Sequence, residues 1–169
     1  MKKLRMLSEL CVAGVLMVMG VAGCSNEKTS NANQQESQKE RDMKEADKAA
    51  MEYVRAYIEM DSKKLNELQY EKYDFMNNEV RNPNKSQGMK ERYELYRYDL
   101  KENENEYYYR VKYFDPAENA QMGMKLKMVK DEKDGKWKSY EWNWARHNNL
   151  ESIVGSIKPV HIHKWGQKE

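Results

Sequence analysis

The chain changes its pattern of apolar and polar positions four times. From Leu10 to Ala22 every residue is apolar or glycine. That run is shorter than the roughly 20 residues a membrane-spanning helix needs. Ser25 to Arg41 then carries no large apolar side chain. Such a stretch buries too little surface to offset its ordering entropy, so it is expected as a flexible linker. From Asp42 a helical period begins: Met43, Ala46, Ala50, Tyr53, Val54, Tyr57 and Ile58 recur at steps of three and four, on one face. Asp61 or Ser62 caps a second short helix, from Lys63 to about Tyr70, with Leu65 and Leu68 inward. Tyr73 to Asn84 gives no clear pattern, and Asn82-Pro83-Asn84 is a loop signal.

Period two follows. Arg92–Leu100 and Glu106–Phe114 are expected as strands of one hairpin. Pairing Leu100 with Tyr107 sets Tyr96 across from Val111 and Tyr98 across from Tyr109, an aromatic face for the long helix. It also sets Arg97 against Arg110, an unfavourable like-charge pair. Gln121–Lys130 and Lys136–Trp144 form a second hairpin around Asp131–Gly135. Pairing Lys130 with Lys136 places Leu126, Met124 and Met122 opposite Tyr140, Trp142 and Trp144, with Lys125 opposite Glu141. Leu150, Ile153, Val154 and Ile157 have helical spacing before Pro159, and the segment beyond is expected as an exposed tail. The fold class is therefore α+β: a long helix and a short one packed on a curved antiparallel sheet, one domain over residues 42–169.

The Ala-rich helix with Tyr53 and Tyr57, the Met60-Asp61-Ser62 break, the short helix and the late Gly135-Lys136-Trp137-Lys138 strand entry resemble the nuclear-transport-factor-2-like superfamily, over about residues 42–144. Cystatin-like folds share most of these features. The resemblance implies a cone-shaped roll in which a sheet wraps the first helix.

The front of the chain says where such a domain is expected to reside. A cationic start, a short apolar core and Val21-Ala22-Gly23-Cys24 resemble a bacterial lipoprotein signal peptide with its lipobox. By that resemblance residues 1–23 are removed and Cys24 carries lipid, followed by a linker over residues 24–41. At about 5–6 Å × √n, the 17 residues after Cys24 reach roughly 20–25 Å. The expected place is the outer face of a cell membrane. The only cysteines are Cys11 and Cys24, so the exported part has no disulfide and no thiolate metal site. The full chain carries 30 basic and 28 acidic residues, and loss of residues 1–23 leaves 27 of each. That balance does not suggest a cationic nucleic-acid binder.

Candidate chemistry is sparse. Enzymes that the superfamily resemblance brings in, such as ketosteroid isomerase and polyketide cyclases, use a pocket Asp with Tyr or His. Among Tyr57, Asp61, Tyr98, Asp99, Tyr109 and Trp142, no acid falls on an inward position beside a tyrosine, and no catalytic set is assigned. The chain has 12 Tyr and only 2 Phe. Tyr57, Tyr98, Tyr109 and Trp142 are the candidates for an aromatic ligand pocket. His161 and His163 would share one side of a strand as a weak two-point metal clamp lacking a third ligand, so no metal and no cofactor is expected. The expected role is a non-catalytic domain that binds a ligand, a cell-wall component or an envelope protein. An isomerase-type or cyclase-type pocket enzyme and a homodimeric envelope scaffold are the alternatives.

Overall fold

The computed structural model describes residues 37–73, 79–101, 104–141 and 144–168. Cys24 and Trp142 lie outside the described residues. The α+β class holds: helices pack on a five-stranded antiparallel sheet of order β4-β3-β2-β1-β5.

Helix α1 spans Gln38–Glu59, four residues earlier than the apolar period indicates. The cause is a capping box. The Ser37 side chain accepts from the Glu40 N–H, and the Glu40 carboxylate accepts from the Ser37 N–H. Hydrophobic periodicity is blind to such a polar pair. The apolar stripe is as expected, with Ala46, Ala50, Tyr53, Val54 and Ile58 buried. Met60 ends the helix in the left-handed region, at φ 49°. Asp61 then caps α2 (Ser62–Glu67) by accepting from the Lys64 N–H at 2.9 Å.

The sheet consists of β1 (Tyr93–Tyr98), β2 (Glu106–Asp115), β3 (Ala120–Lys130), β4 (Trp137–Ser139) and β5 (Val160–His163). Both expected hairpins form, each one residue out of the expected register. In the first, Tyr98 faces Tyr108 and Arg97 faces Tyr109. Tyr93, Leu95 and Arg97 therefore point toward α1, and Tyr98 points to the opposite face. In the second, Lys130 pairs with Trp137 and Met128 with Ser139. Trp137 and Ser139 are the buried residues of β4, whereas Tyr140 is only half-buried. A one-residue slip exchanges the two faces of a strand. What decides the register is inward packing: the Trp137 ring lies 5.0 Å from Tyr107. The turn between β3 and β4 closes with the Asp131 N–H donating to the Lys136 carbonyl and with Gly135 at φ 70°.

Strand β4 stops after three residues. Trp144 opens a short helix, α3 (Trp144–His147), and α4 (Leu150–Val154) follows. Trp144, Leu150 and Val154 cover Tyr98 and Tyr108 on the sheet face away from α1. Lys125 pairs with Glu151 at 2.9 Å, not with Glu141. The final segment is not a free tail, because β5 adds to the edge of β1.

Candidate functional site

Strand β3 has eleven residues and β4 only three, paired with residues 128–130. Residues 121–126 therefore have no strand on their outer side among the described residues. A cleft of about 210 Å³ opens there, between α1 on one side of the strand and α3 on the other. Tyr53, Tyr57 and Tyr113 line it from within, Met122 and Met124 stand at the strand, and Trp144 walls the far side. Tyr53 and Tyr113 are almost fully buried, whereas Met122 is 39% exposed. Burial pushes both the Tyr53 and Tyr113 hydroxyls up from their ordinary value. Both stay neutral near pH 7, and Tyr53 accepts a hydrogen bond from the Gln69 amide at 2.8 Å. Lys125, Glu141 and Arg146 place charge at the mouth.

The four aromatic candidates do not converge. Tyr57 lines the cleft. Tyr109 is fully buried under α1. Tyr98 packs on the other face with Tyr108 and Trp144. Trp142 is outside the described residues. The candidate clamp does not form either. The His161 ring stacks on Tyr96 and the His163 ring on Tyr93, which point to opposite faces of β1, and the register of β5 shifts between those positions. The His163 ring nitrogens lie 3.1 Å and 2.9 Å from the carbonyl oxygens of Tyr93 and Gln167. Among the described residues, no three His, Cys, Asp or Glu side chains gather as a metal site.

A second polar constellation lies between α1 and the sheet. The Tyr109 hydroxyl donates to Asp47 Oδ1 at 2.9 Å, and Arg97 Nη1 donates to Asp47 Oδ2 at 2.7 Å. Arg97 also binds Asp99 and lies over the Tyr107 ring. Burial is the largest influence on the Asp47 carboxyl and raises its pKa; Arg97 and Tyr109 pull the other way without cancelling it. Burial works against the Arg97 charge, but Asp99 and Asp47 more than offset it, so the guanidinium is held cationic. Burial also pushes the Tyr109 hydroxyl well up, and the neighbouring Asp47 carboxylate adds to that. The sequence carried a signal for this group. Asp47 stands four residues after Met43 and three before Ala50, an acid within the apolar stripe. The cleft was also marked, by a glycine inside an otherwise apolar alternation at Gly123.

Comparison of the chain with protein-family models, with curated proteins and with solved structures finds no match in any of the three.

Proposed function

We propose that this chain is a lipoprotein held by lipid on Cys24 at the outer face of a cell membrane. Its helix-and-sheet domain binds a ligand, a wall component or an envelope protein through the cleft beside β3, and does no chemistry of its own. The address rests on the basic start, the short apolar run and the Val21–Cys24 motif. The resemblance to nuclear-transport-factor-2-like lipoproteins belongs to the same proposal, and the packing of α1 on an antiparallel sheet agrees with it. The binding role is carried by one observation: a concave site lined by tyrosine, methionine and tryptophan at an unfinished sheet edge. Those side chains offer contact area and little acid–base capacity, because burial keeps the Tyr53 and Tyr113 hydroxyls protonated.

Two measurements test it. Replacing Cys24 by alanine should abolish palmitate labelling and release the chain from the membrane fraction; continued sedimentation with membranes would reject the address. Titration against wall fragments, phospholipids and peptides, read by thermal shift, should give a binder that Met122→Lys weakens. A binder indifferent to Met122→Lys, or none across the panel, rejects the binding site.

A catalytic reading has the Asp47–Tyr109 pair in its favour, since a carboxyl raised by burial beside a tyrosine is what an acid–base enzyme would use. It ranks second because both carboxylate oxygens are already engaged and Tyr109 has no exposed surface for a substrate. An isomerase or cyclase activity lost in Asp47→Asn with folding intact would reverse the ranking.

A further inference from the structure

The direction of the main-chain groups along β3 shows what kind of occupant the cleft fits. The Lys127 carbonyl accepts from the Tyr140 N–H, on the β4 side. The Lys130 N–H donates to the Asn105 carbonyl, on the β2 side. In an antiparallel strand the N–H and C=O of one residue point the same way and alternate between neighbours. Odd-numbered residues of β3 therefore address the outer edge. Gly123 and Lys125 are the next two beyond Lys127, and both line the cleft. Among the described residues no strand pairs with them on that side, where a longer β4 would have run.

Two further observations favour a strand over a compact ligand. The cleft, at about 210 Å³, falls below the roughly 300–1,000 Å³ of sites that enclose drug-sized molecules. It has room for one large side chain, not for a whole ligand. The second is Gly123. A Cβ built there meets nothing closer than the Val111 carbonyl oxygen at 3.8 Å, and the position does not have positive φ. Nothing in this chain's own packing requires glycine. A glycine in a strand interior weakens the strand, and one use that offsets this cost is close approach of a ligand or another backbone.

Resting on the binding role proposed above, we infer that the cleft takes an extended peptide segment of a partner protein. The segment adds as a strand to the outer edge of β3, bonds to the main chain of Gly123 and Lys125, and inserts one large apolar side chain on the α1 face among Tyr57, Tyr113 and Met124. Main-chain bonds supply affinity in this mode, and the pocket supplies choice of sequence.

The probe is a soluble seven-residue peptide of alternating threonine and valine with leucine at its centre, titrated into the full-length chain while amide exchange is followed. Exchange at Gly123 and Lys125 should slow about tenfold or more, with neighbouring β2 amides unchanged. An alanine-centred peptide should bind about tenfold more weakly. A peptide N-methylated on its protein-facing amides should give no protection. Gly123→Pro, which removes one donor at an edge where proline is tolerated, should weaken the leucine peptide about tenfold, and Met122→Lys gives the same readout with the backbone intact. Equal binding of the N-methylated peptide overturns the inference, as does unchanged exchange at saturating peptide. Protection that appears without peptide and vanishes on dilution makes a second copy the occupant and overturns it too. If a lipid or wall fragment binds in a Met122-dependent way while both amides exchange freely, only the strand mode fails. If neither these nor the peptide binds, the binding site itself falls.

Discussion

The two edges of the sheet are finished in different ways. On the β5 side the chain closes the edge with its own C-terminal residues. His163 stacks on Tyr93 at 3.7 Å between ring centroids, and Arg97 opposite Val160 is locked to Asp47 and Asp99. On the β4 side the edge is sealed only where Trp137 and Ser139 reach it, and the Leu68–Glu71 segment covers β4 in turn. Among the described residues no strand pairs with the remainder of β3 on that side. Natural sheets cover or blunt their edges because unpaired strands recruit others. A molecule that invests buried charge at one edge and leaves a glycine on the other finishes the two sides of its sheet by different means.

The largest test of that contrast is on the closed side. Arg97→Leu leaves the Asp47 carboxylate buried without its partner and should cost about 3–5 kcal/mol, measured by urea unfolding; a loss under about 1 kcal/mol would mean the pair is not structural. Next, His163→Ala removes a ring stack and a hydrogen bond from the ring N–H to a main-chain carbonyl, and should cost about 2 kcal/mol. Exchange should accelerate first at residues 160–163; uniform acceleration across the sheet would deny β5 a separate role as a seal. On the open side the expected sign reverses. Gly123→Ala should stabilise the chain by about 0.5–1 kcal/mol, since a Cβ meets no close neighbour there. Destabilisation would show that glycine serves the fold and not an approach.

The smallest effect is a difference in pH slope. Asp47, near the closed edge, has its pKa raised by burial. Its folded form therefore binds more protons, and its contribution to stability declines as pH rises from about 3.8 through the raised value. The penalty of Asp47→Asn should shrink across that window. Asp131, in the turn before β4, has its pKa lowered, first by Lys138. Its contribution is present above 3.8 and is lost as pH falls through the lowered value. The penalty of Asp131→Asn should shrink toward acid. Parallel slopes for the two variants would contradict the contrast between the edges.

The sequence carried α1, α2, α4 and the existence of both hairpins, because a 3.6-residue period and strict alternation survive any detail of packing; it read the start of α3 as strand. It did not carry the faces of β1 and β4. In β1 both Tyr93-Leu95-Arg97 and Tyr96-Tyr98-Leu100 are plausible inward sets, and an arginine argues against the true one until Asp47 is seen across from it. In β4 the pull of Tyr140, Trp142 and Trp144 outweighed a lone Trp137. Yet each mistaken register carried a visible fault, Arg97 against Arg110 and Lys130 against Lys136. The observed registers put Tyr109 and Trp137 opposite Arg97 and Lys130 instead. A like-charge pair across a hairpin was the readable sign of a one-residue slip. Apart from the glycine at 123, the cleft was not legible in advance, because it arises from where β4 stops, and no local signal after Ser139 marks that end.

The Ser37–Glu40 cap has a practical corollary. Both halves of the cap lie within the first turn they serve, so the cap of α1 is built from Ser37 and Glu40 alone. A recombinant chain starting at Ser37 should keep its first helix while dropping the apolar run of residues 10–22, which offers crystallographers and screeners a clean starting material.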